Sequence, residues 1–265
     1  MIEIERLTKS YGETCVIDDV SLTIPAGELT AVIGPNGAGK STLLALAARL
    51  ITADRGRILV DGLDVAETRS EKLARQLSVL RQENHVTARL QIRDLVSFGR
   101  FPHSGGRLTS VDQDHISDAL AALELTALED RFLDELSGGQ RQRAFVAMML
   151  CQDARYMLFD EPLASLDIRH AISMMEMLRT AASSAGKTVV VVLHDLNIAA
   201  NFADRVVAMK VGKIAYQGAT REVMTTARLS DLYDLPVQVD HNDGHFIVNY
   251  FNPATARQEL SADAG

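Results

Sequence analysis

Gly34-Pro35-Asn36-Gly37-Ala38-Gly39-Lys40-Ser41-Thr42 follows the β-rich run Glu28-Leu-Thr-Ala-Val-Ile33 and opens the apolar, helix-like run Ser41 to Leu50. The stretch fits G-x-x-x-x-G-K-[ST], and its flanks supply the strand and helix that the pattern requires. Glycines let the main chain curl, so successive backbone N–H groups and the helix N-terminus can surround phosphate oxygens. In that setting Lys40 bridges β- and γ-phosphate charge and the Ser41 hydroxyl ligates Mg²⁺. A loop of this kind serves kinases, GTPases and ATPases alike, so more of the chain is needed to choose.

Outward from the loop, the order of patterns is that of an α/β protein. Residues 1 to 33 hold short β-like runs, with Ile2 and Ile4 alternating with Glu3 and Glu5, and Arg57 to Val60 lies between Gly56 and Gly62. From about Val86 to Met149 the period changes: Ile116, Ala119, Leu120 and Leu123 recur at helical spacing, with Ser110 placed to cap them. This region reads as a mainly helical insertion. Beyond it, Tyr156 to Phe159 and Val189 to Leu193 are unalternating apolar runs separated by a helix-like stretch from Ile172 to Ala185. Such runs suit strands buried on both faces of a parallel sheet. Val211-Gly212 and Asn242-Asp243-Gly244 mark two hairpins, and the Ala- and Asp-containing end is expected to fray.

Composition narrows the classes. The 265 residues carry 27 Lys+Arg against 35 Asp+Glu, a net charge of −8, and 47% hydrophobic residues. That balance supports a buried core and argues weakly against nucleic acid, whose binders concentrate positive charge. The longest apolar stretches, such as Ala144 to Cys151, fall far short of the roughly 20 residues of a membrane-spanning helix. MIEIERLTKS carries no export signal. Cys15 and Cys151 make no disulfide framework and sit among apolar neighbours, so both read as buried, reduced thiols in a cytoplasmic setting.

Tyr156-Met-Leu-Phe159 runs straight into Asp160-Glu161. A buried strand that delivers a carboxylate beside a phosphate loop is a way to hold Mg²⁺, which assigns Asp160 to the metal. Glu161, one residue later, points elsewhere and can polarise a water for attack on the γ-phosphorus. A second helix terminus, Leu136-Ser137-Gly138-Gly139-Gln140, offers the Ser137 side chain and glycine amides to phosphate as well. One nucleotide needs one cradle, so two are unexpected in a simple NTPase.

With this motif the chain resembles the ATP-binding cassette (ABC) ATPases over nearly its whole length to about residue 235. The resemblance implies a P-loop NTPase fold with a mixed sheet core, an N-terminal antiparallel β subdomain and an inserted α-helical subdomain. It divides the chain into residues 1-235 as the cassette, with about 84-150 as the helical subdomain, and 236-265 as a tail matched to no family feature. In order along the chain, it implies that Tyr11 stacks on adenine and that Gln82 senses Mg²⁺ and the attacking water. Asp167, in Ala164-Ser-Leu-Asp167, communicates across a dimer, and His194, after Val189 to Leu193, contacts the γ-phosphate and positions Glu161. Gly34 through Thr42 and, from a second copy, Ser137, Gly138, Gly139 and Gln140 bind the nucleotide. The implied cofactors are ATP and Mg²⁺, and the implied assembly is a head-to-tail homodimer bridged by ATP.

One phosphate loop and one signature make a single cassette. Thr42 and Ser137 are 95 positions apart, which leaves no room for the coiled coil of chromosome and repair ATPases. Two cysteines leave no zinc modules of the excision-repair type. A cassette without membrane spans implies separate permease subunits, a peripheral place on the cytoplasmic face of the inner membrane, and indirect dependence on a substrate-binding protein. Ser97-Phe-Gly-Arg-Phe-Pro-His103-Ser-Gly105, Leu166-Asp-Ile-Arg-His170 and Leu193-His-Asp-Leu-Asn197 resemble the iron-chelate uptake subfamily, which carries ferric siderophores, haem or vitamin B12. Leu163 departs from the Thr that many relatives have there. A haem or vitamin B12 importer, or a soluble ABC ATPase outside transport, is the alternative.

Overall fold

The computed structural model describes residues 1–82, 86 and 88–251. The expected boundary near residue 84 and the expected frayed end lie outside them. In chain order the first unit is β1 (Ile2–Tyr11), β2 (Thr14–Ile24), β3 (Leu29–Ile33), α1 (Lys40–Ala47), β4 (Arg55–Val60), β5 (Leu63–Asp64), α2 (Ser70–Gln76) and β6 (Leu77–Leu80). Four helices follow: α3 (Ile92–Ser97), α4 (Phe101–Ser104), α5 (Ser110–Ala122) and α6 (Gly138–Cys151). The chain then runs through β7 (Tyr156–Asp160), α7 (Ile168–Ser183), β8 (Thr188–Val192), α8 (Leu196–Phe202), β9 (Arg205–Lys210) and β10 (Lys213–Ala219). It closes with α9 (Thr220–Val223), α10 (Thr226–Tyr233), β11 (Gln238–Asn242) and β12 (His245–Asn249).

Among the described residues the strands form three sheets. The first is antiparallel in the order β2-β1-β4-β5, the second is mixed in the order β10-β9-β3-β8-β7-β6, and β11 pairs with β12 alone. Strands β6, β7, β8, β3 and β9 run parallel, and β10 returns antiparallel from the Val211-Gly212 turn.

Two cores explain the unalternating strands. Met157 and Phe159 of β7 and Val189 and Val191 of β8 face a core shared with α3, α5, α6, α7 and α8. Their neighbours Tyr156, Leu158, Val190 and Val192 face a second core shared with α1 and the antiparallel sheet. Side chains alternate across a strand, so a strand buried on both faces must be apolar at every position. All five residues of each of these strands are buried.

The register aligns the carboxyl ends. Leu80 stands opposite Phe159, Asp160 opposite Val192, and Val192 opposite Val32. Whatever follows β6, β7, β8 and β3 therefore emerges at one edge, where open parallel sheets bind ligands.

Two sequence expectations are corrected, the first in the helical region. Thr109, not Ser110, caps α5: its side chain accepts from the Asp112 amide, and Asp112 returns a bond to the Thr109 amide. Thr109 is extended at φ −94° and ψ 174°, as a cap must be, whereas Ser110 is already helical. Asp112 and Arg100 are both buried and paired at 2.8 Å, and Arg100 also donates to the Cys151 carbonyl, pinning α5 to the end of α6. The second correction is Cys15, which is exposed. It lies beside the turn of the β1–β2 hairpin, opposite Ser10, and is in neither core. Cys151 is buried as expected, and burial pushes its thiol up to about 12. Helix α7 begins at Ile168, four residues before the apolar period becomes visible, because Asp167 accepts from the His170 amide and starts it early.

Candidate nucleotide site

The loop after β3 is shaped by close backbone packing. At Gly34 (φ 144°) a Cβ would lie 2.1 Å from the Met209 carbonyl oxygen, and at Gly39 (φ 97°) 2.7 Å from that of Val16. Neither position admits another residue without moving β9 or β2. Because the N-cap of α1 is Gly39, the helix starts with no side-chain cap and no acidic residue in its first turn. Its leading amides are thus available to an anion. The Val211-Gly212 turn supports the loop from behind, with the Gly212 amide donating to Ala38 and the Gly212 carbonyl accepting from Asp18.

Lys40 is only 5% exposed, and its ammonium donates to the Gly34 and Pro35 carbonyls at 2.8 and 3.0 Å. Burial lowers its pKa from the ordinary lysine value, while the negative charges of Glu161 and Asp160 oppose the shift. Across from it, the Ser41 hydroxyl donates to Asp160 Oδ1 at 2.9 Å. Burial raises the Asp160 pKa; the Ser41 hydrogen bond opposes this, Glu161 adds to it, and Lys40 and His194 oppose it. Two hard oxygen donors beside a buried cation suit a small divalent ion that takes its other ligands from phosphate and water.

Glu161 leaves β7 in the left-handed region, φ 53°. A non-glycine residue there is strained and persists only where its surroundings hold it. Two contacts do so: Gln82 Nε2 donates to Glu161 Oε2 at 2.9 Å, and His194 Nε2 lies 2.5 Å from Glu161 Oε1. Since β6, β7 and β8 are adjacent, the residues following them grip one carboxylate from both sides.

A cleft of about 570 Å³ gathers these groups, lined by Asn36 through Thr42 with Gln82, Glu161 and His194. Gly34 and Pro35 lie behind it and hold Lys40. Tyr11, 53% exposed, lines an adjoining cleft with Ser41, Thr42, Gln82 and Asp160. Ser137, Gly138, Gly139, Gln140 and Asp167 are not among the residues of either cleft. Ser137 and Gln140 instead form a capping box on α6, and Gly138 and Gly139 pack against Ser165 and Leu166. Asp167 Oδ1 takes both the His170 amide and His170 Nδ1. Sequence reasoning missed Val16, a lining residue of the first cleft. Nothing near Val16 in the chain marks it, because the fold of β2 over the phosphate loop brings it there.

A mixed sheet, an antiparallel companion sheet and a helical insertion around a phosphate loop define a class, and comparison with known proteins agrees. The family described as ABC transporter matches residues 17–164, more than half of the chain. This chain belongs to the ABC transporter family and is an ATP-binding cassette with the ABC ATPase fold. It is 49% identical over 239 residues to the petrobactin import ATP-binding protein FatE of Bacillus anthracis, covering 90% of this chain and 96% of that one. It is 44% identical over 252 residues to the petrobactin import ATP-binding protein YclP of Bacillus subtilis (strain 168), covering 95% and 100%. With the ferric enterobactin transport ATP-binding protein FepC of Escherichia coli (strain K12) it shares 40% over 233 residues, 87% of this chain and 86% of that one. Among solved structures, a dimeric ATP-binding cassette in a post-hydrolysis state bound to ADP and Pi superposes with a TM-score of 0.76 at 27% identity, covering 83% of this chain and 99% of that one.

Proposed function

We propose that this chain is the ATP-hydrolysing subunit that energises import of a ferric siderophore or related iron chelate through a separate membrane permease. The observation that carries the catalytic part is the grip on Glu161. A carboxylate held by Gln82 and His194, one residue beyond Asp160 and beside Lys40, is placed to orient a water toward a γ-phosphate in the loop. The cargo rests on the relatives, whose names record import of petrobactin, hemin and iron(3+)-hydroxamate and transport of ferric enterobactin.

Residues Gly34 through Thr42 cradle the phosphates, and Tyr11 stacks on the base from the adjoining cleft. Ser41 and Asp160, with Gln82 at the edge, would hold Mg²⁺, which would neutralise charge on the phosphates. Ser137, Gly138, Gly139, Gln140 and Asp167, remote from the cleft of their own chain, close on the nucleotide of a second copy in a head-to-tail dimer. We assign residues 1-235 to the cassette, with about 84-150 as its helical subdomain facing the permease, and 236-265 to a tail. Among the described residues no helix is long and apolar enough to cross a membrane. The chain then sits peripherally on the cytoplasmic face, and a substrate-binding protein acts upstream of the permease.

The test is uptake of radiolabelled ferric petrobactin by cells producing either the unaltered chain or Glu161→Gln, with ferric enterobactin, haemin and cobalamin as further arms. Uptake of a ferric siderophore that is lost in Glu161→Gln is the expected result. Equal siderophore uptake in both strains overturns the cargo and leaves the ATPase standing.

A further inference from the structure

The hairpin β11–β12 is fastened to α8 by two asparagine side chains. Asn197 Oδ1 accepts from the Val248 amide at 2.7 Å and its Nδ2 donates to the Val248 carbonyl at 3.2 Å. One helical turn on, Asn201 Oδ1 accepts from the Phe246 amide at 2.9 Å and its Nδ2 donates to the Phe246 carbonyl at 2.9 Å. A side-chain amide carries the same donor and acceptor as a peptide, so α8 presents to the open edge of β12 the pairs that a neighbouring strand would present. The spacing allows it. Four residues of helix advance about 6 Å and two residues of strand about 6.8 Å, so helix positions i and i+4 meet strand positions j and j−2, the two elements running in opposite directions. The second Asn201 proton goes to the Asn197 carbonyl at 2.8 Å, which settles the orientation of that amide.

Helix α8 also follows directly on His194, the residue beyond the end of β8 that contacts Glu161. His194 precedes the cap Asp195, whose carboxylate accepts from the Asn197 and Ile198 amides. Asn197 therefore takes part in the turn that carries His194 and in the clasp on β12. The hairpin is anchored on its other side: Val237 and Val248 are buried in the larger core, and the Ser230 hydroxyl exchanges bonds with the Val237 amide and carbonyl. In the same anchoring helix, α10, burial pushes the Tyr233 phenol up to about 12 against the pull of the neighbouring Gly34 amide, the first residue of the phosphate loop.

We infer that Asn197 and Asn201 are positioning residues for ATP hydrolysis: through them the C-terminal hairpin holds the start of α8, and with it the His194 ring, against Glu161. The inference rests on the proposed role of His194. A misplacement of an ångström at a reacting group is worth up to about a hundredfold in rate, whereas the phosphate loop, whose shape is set by β3, β9 and β2, keeps its own contacts with the nucleotide.

The experiment compares the full chain with the double variant Asn197→Ala/Asn201→Ala in kcat and KM for ATP, and by the NMR resonance of the His194 Cε1–H group. Expected are a kcat lower by about tenfold, a KM within about twofold, and a shifted His194 resonance while that of His170 stays put. An unmoved His194 resonance, a kcat within about twofold of the unaltered chain, or a KM that rises in parallel with the loss each overturns the inference. If the double variant fails to melt cooperatively, Asn201→Asp, which retains the acceptor for Phe246 and loses the donor, decides by the same readouts. His194→Ala run alongside keeps the two readings apart: unchanged turnover in that variant defeats the role given to His194, and not the clasp.

Discussion

Glu161 carries the sharpest test at the scale of single residues. Its backbone is left-handed and both carboxylate oxygens are engaged, so the neutral isostere keeps the shape and loses the charge. Glu161→Gln is expected to lower kcat by on the order of a hundredfold or more and to leave MgATP affinity within about threefold, read from steady-state turnover and a nucleotide titration. Lys40 stands on the other side of the same cleft with a different burden. Lys40→Ala removes a buried cation that is held by the Gly34 and Pro35 carbonyls at the phosphate loop, and it is expected to weaken nucleotide binding by about tenfold or more. Affinity equal to that of the unaltered chain in the titration sinks the assignment.

Elements are held by their ends. The Thr109–Asp112 box starts α5 and the Arg100–Asp112 pair ties it to α6. Thr109→Ala is expected to cost about 1 kcal/mol, measured by denaturant unfolding. The Thr109 amide, then Arg100, holds the Asp112 carboxyl well below the usual carboxylate range. A depressed folded pKa adds stability that is fully present above the unfolded value of about 4 and is lost as pH falls through the folded one. Asp112→Asn is therefore expected to lower the melting temperature at pH 7, and the gap to the unaltered chain is expected to narrow as pH drops below about 4. A gap that widens toward acid contradicts the pairing. Apolar period placed α5 and α7 along the chain, with the cap of α5 one residue late at Ser110 and the start of α7 one turn late at Ile172, because caps belong to the polar flanking residues and leave no mark on the hydrophobic pattern.

At the scale of the whole molecule, the two cradles of one chain do not meet. The free N-terminus of α1 lines the nucleotide cleft, the self-capped N-terminus of α6 does not, and a solved dimeric cassette with ADP and Pi shows the fold paired. Glu161→Gln in excess MgATP is expected to sediment as a dimer, and adding Gly139→Asp to return it to a monomer that still binds ATP. At Gly139 a Cβ would lie 3.2 Å from the Ser165 carbonyl oxygen, and a carboxylate there would repel phosphate. A monomer for Glu161→Gln alone counts against the head-to-tail assembly.

What the chain determined unaided is whatever depends on neighbours in sequence. Gly34 to Thr42 between a strand and a helix, Asp160-Glu161 after an apolar strand, and Ser137 to Gln140 at a helix start are local patterns, and local backbone geometry alone places each on its element. The unalternating runs of β7 and β8 likewise showed burial on both faces, because side-chain alternation is a property of the single strand. Only the tertiary structure decided which ends meet. The parallel register of β6, β7, β8 and β3 sets Gln82 and His194 on either side of Glu161, the fold of β2 lays Val16 over the loop, and Cys15 falls beyond both cores. It also turned the Asn242-Asp243-Gly244 hairpin from an unassigned tail into a partner of α8, through amides at Asn197 and Asn201 that the chain separates from Phe246 and Val248 by some fifty residues. Contacts across such distances rest on strand register and core packing, and these are set by burial summed over the whole chain rather than by any segment of it.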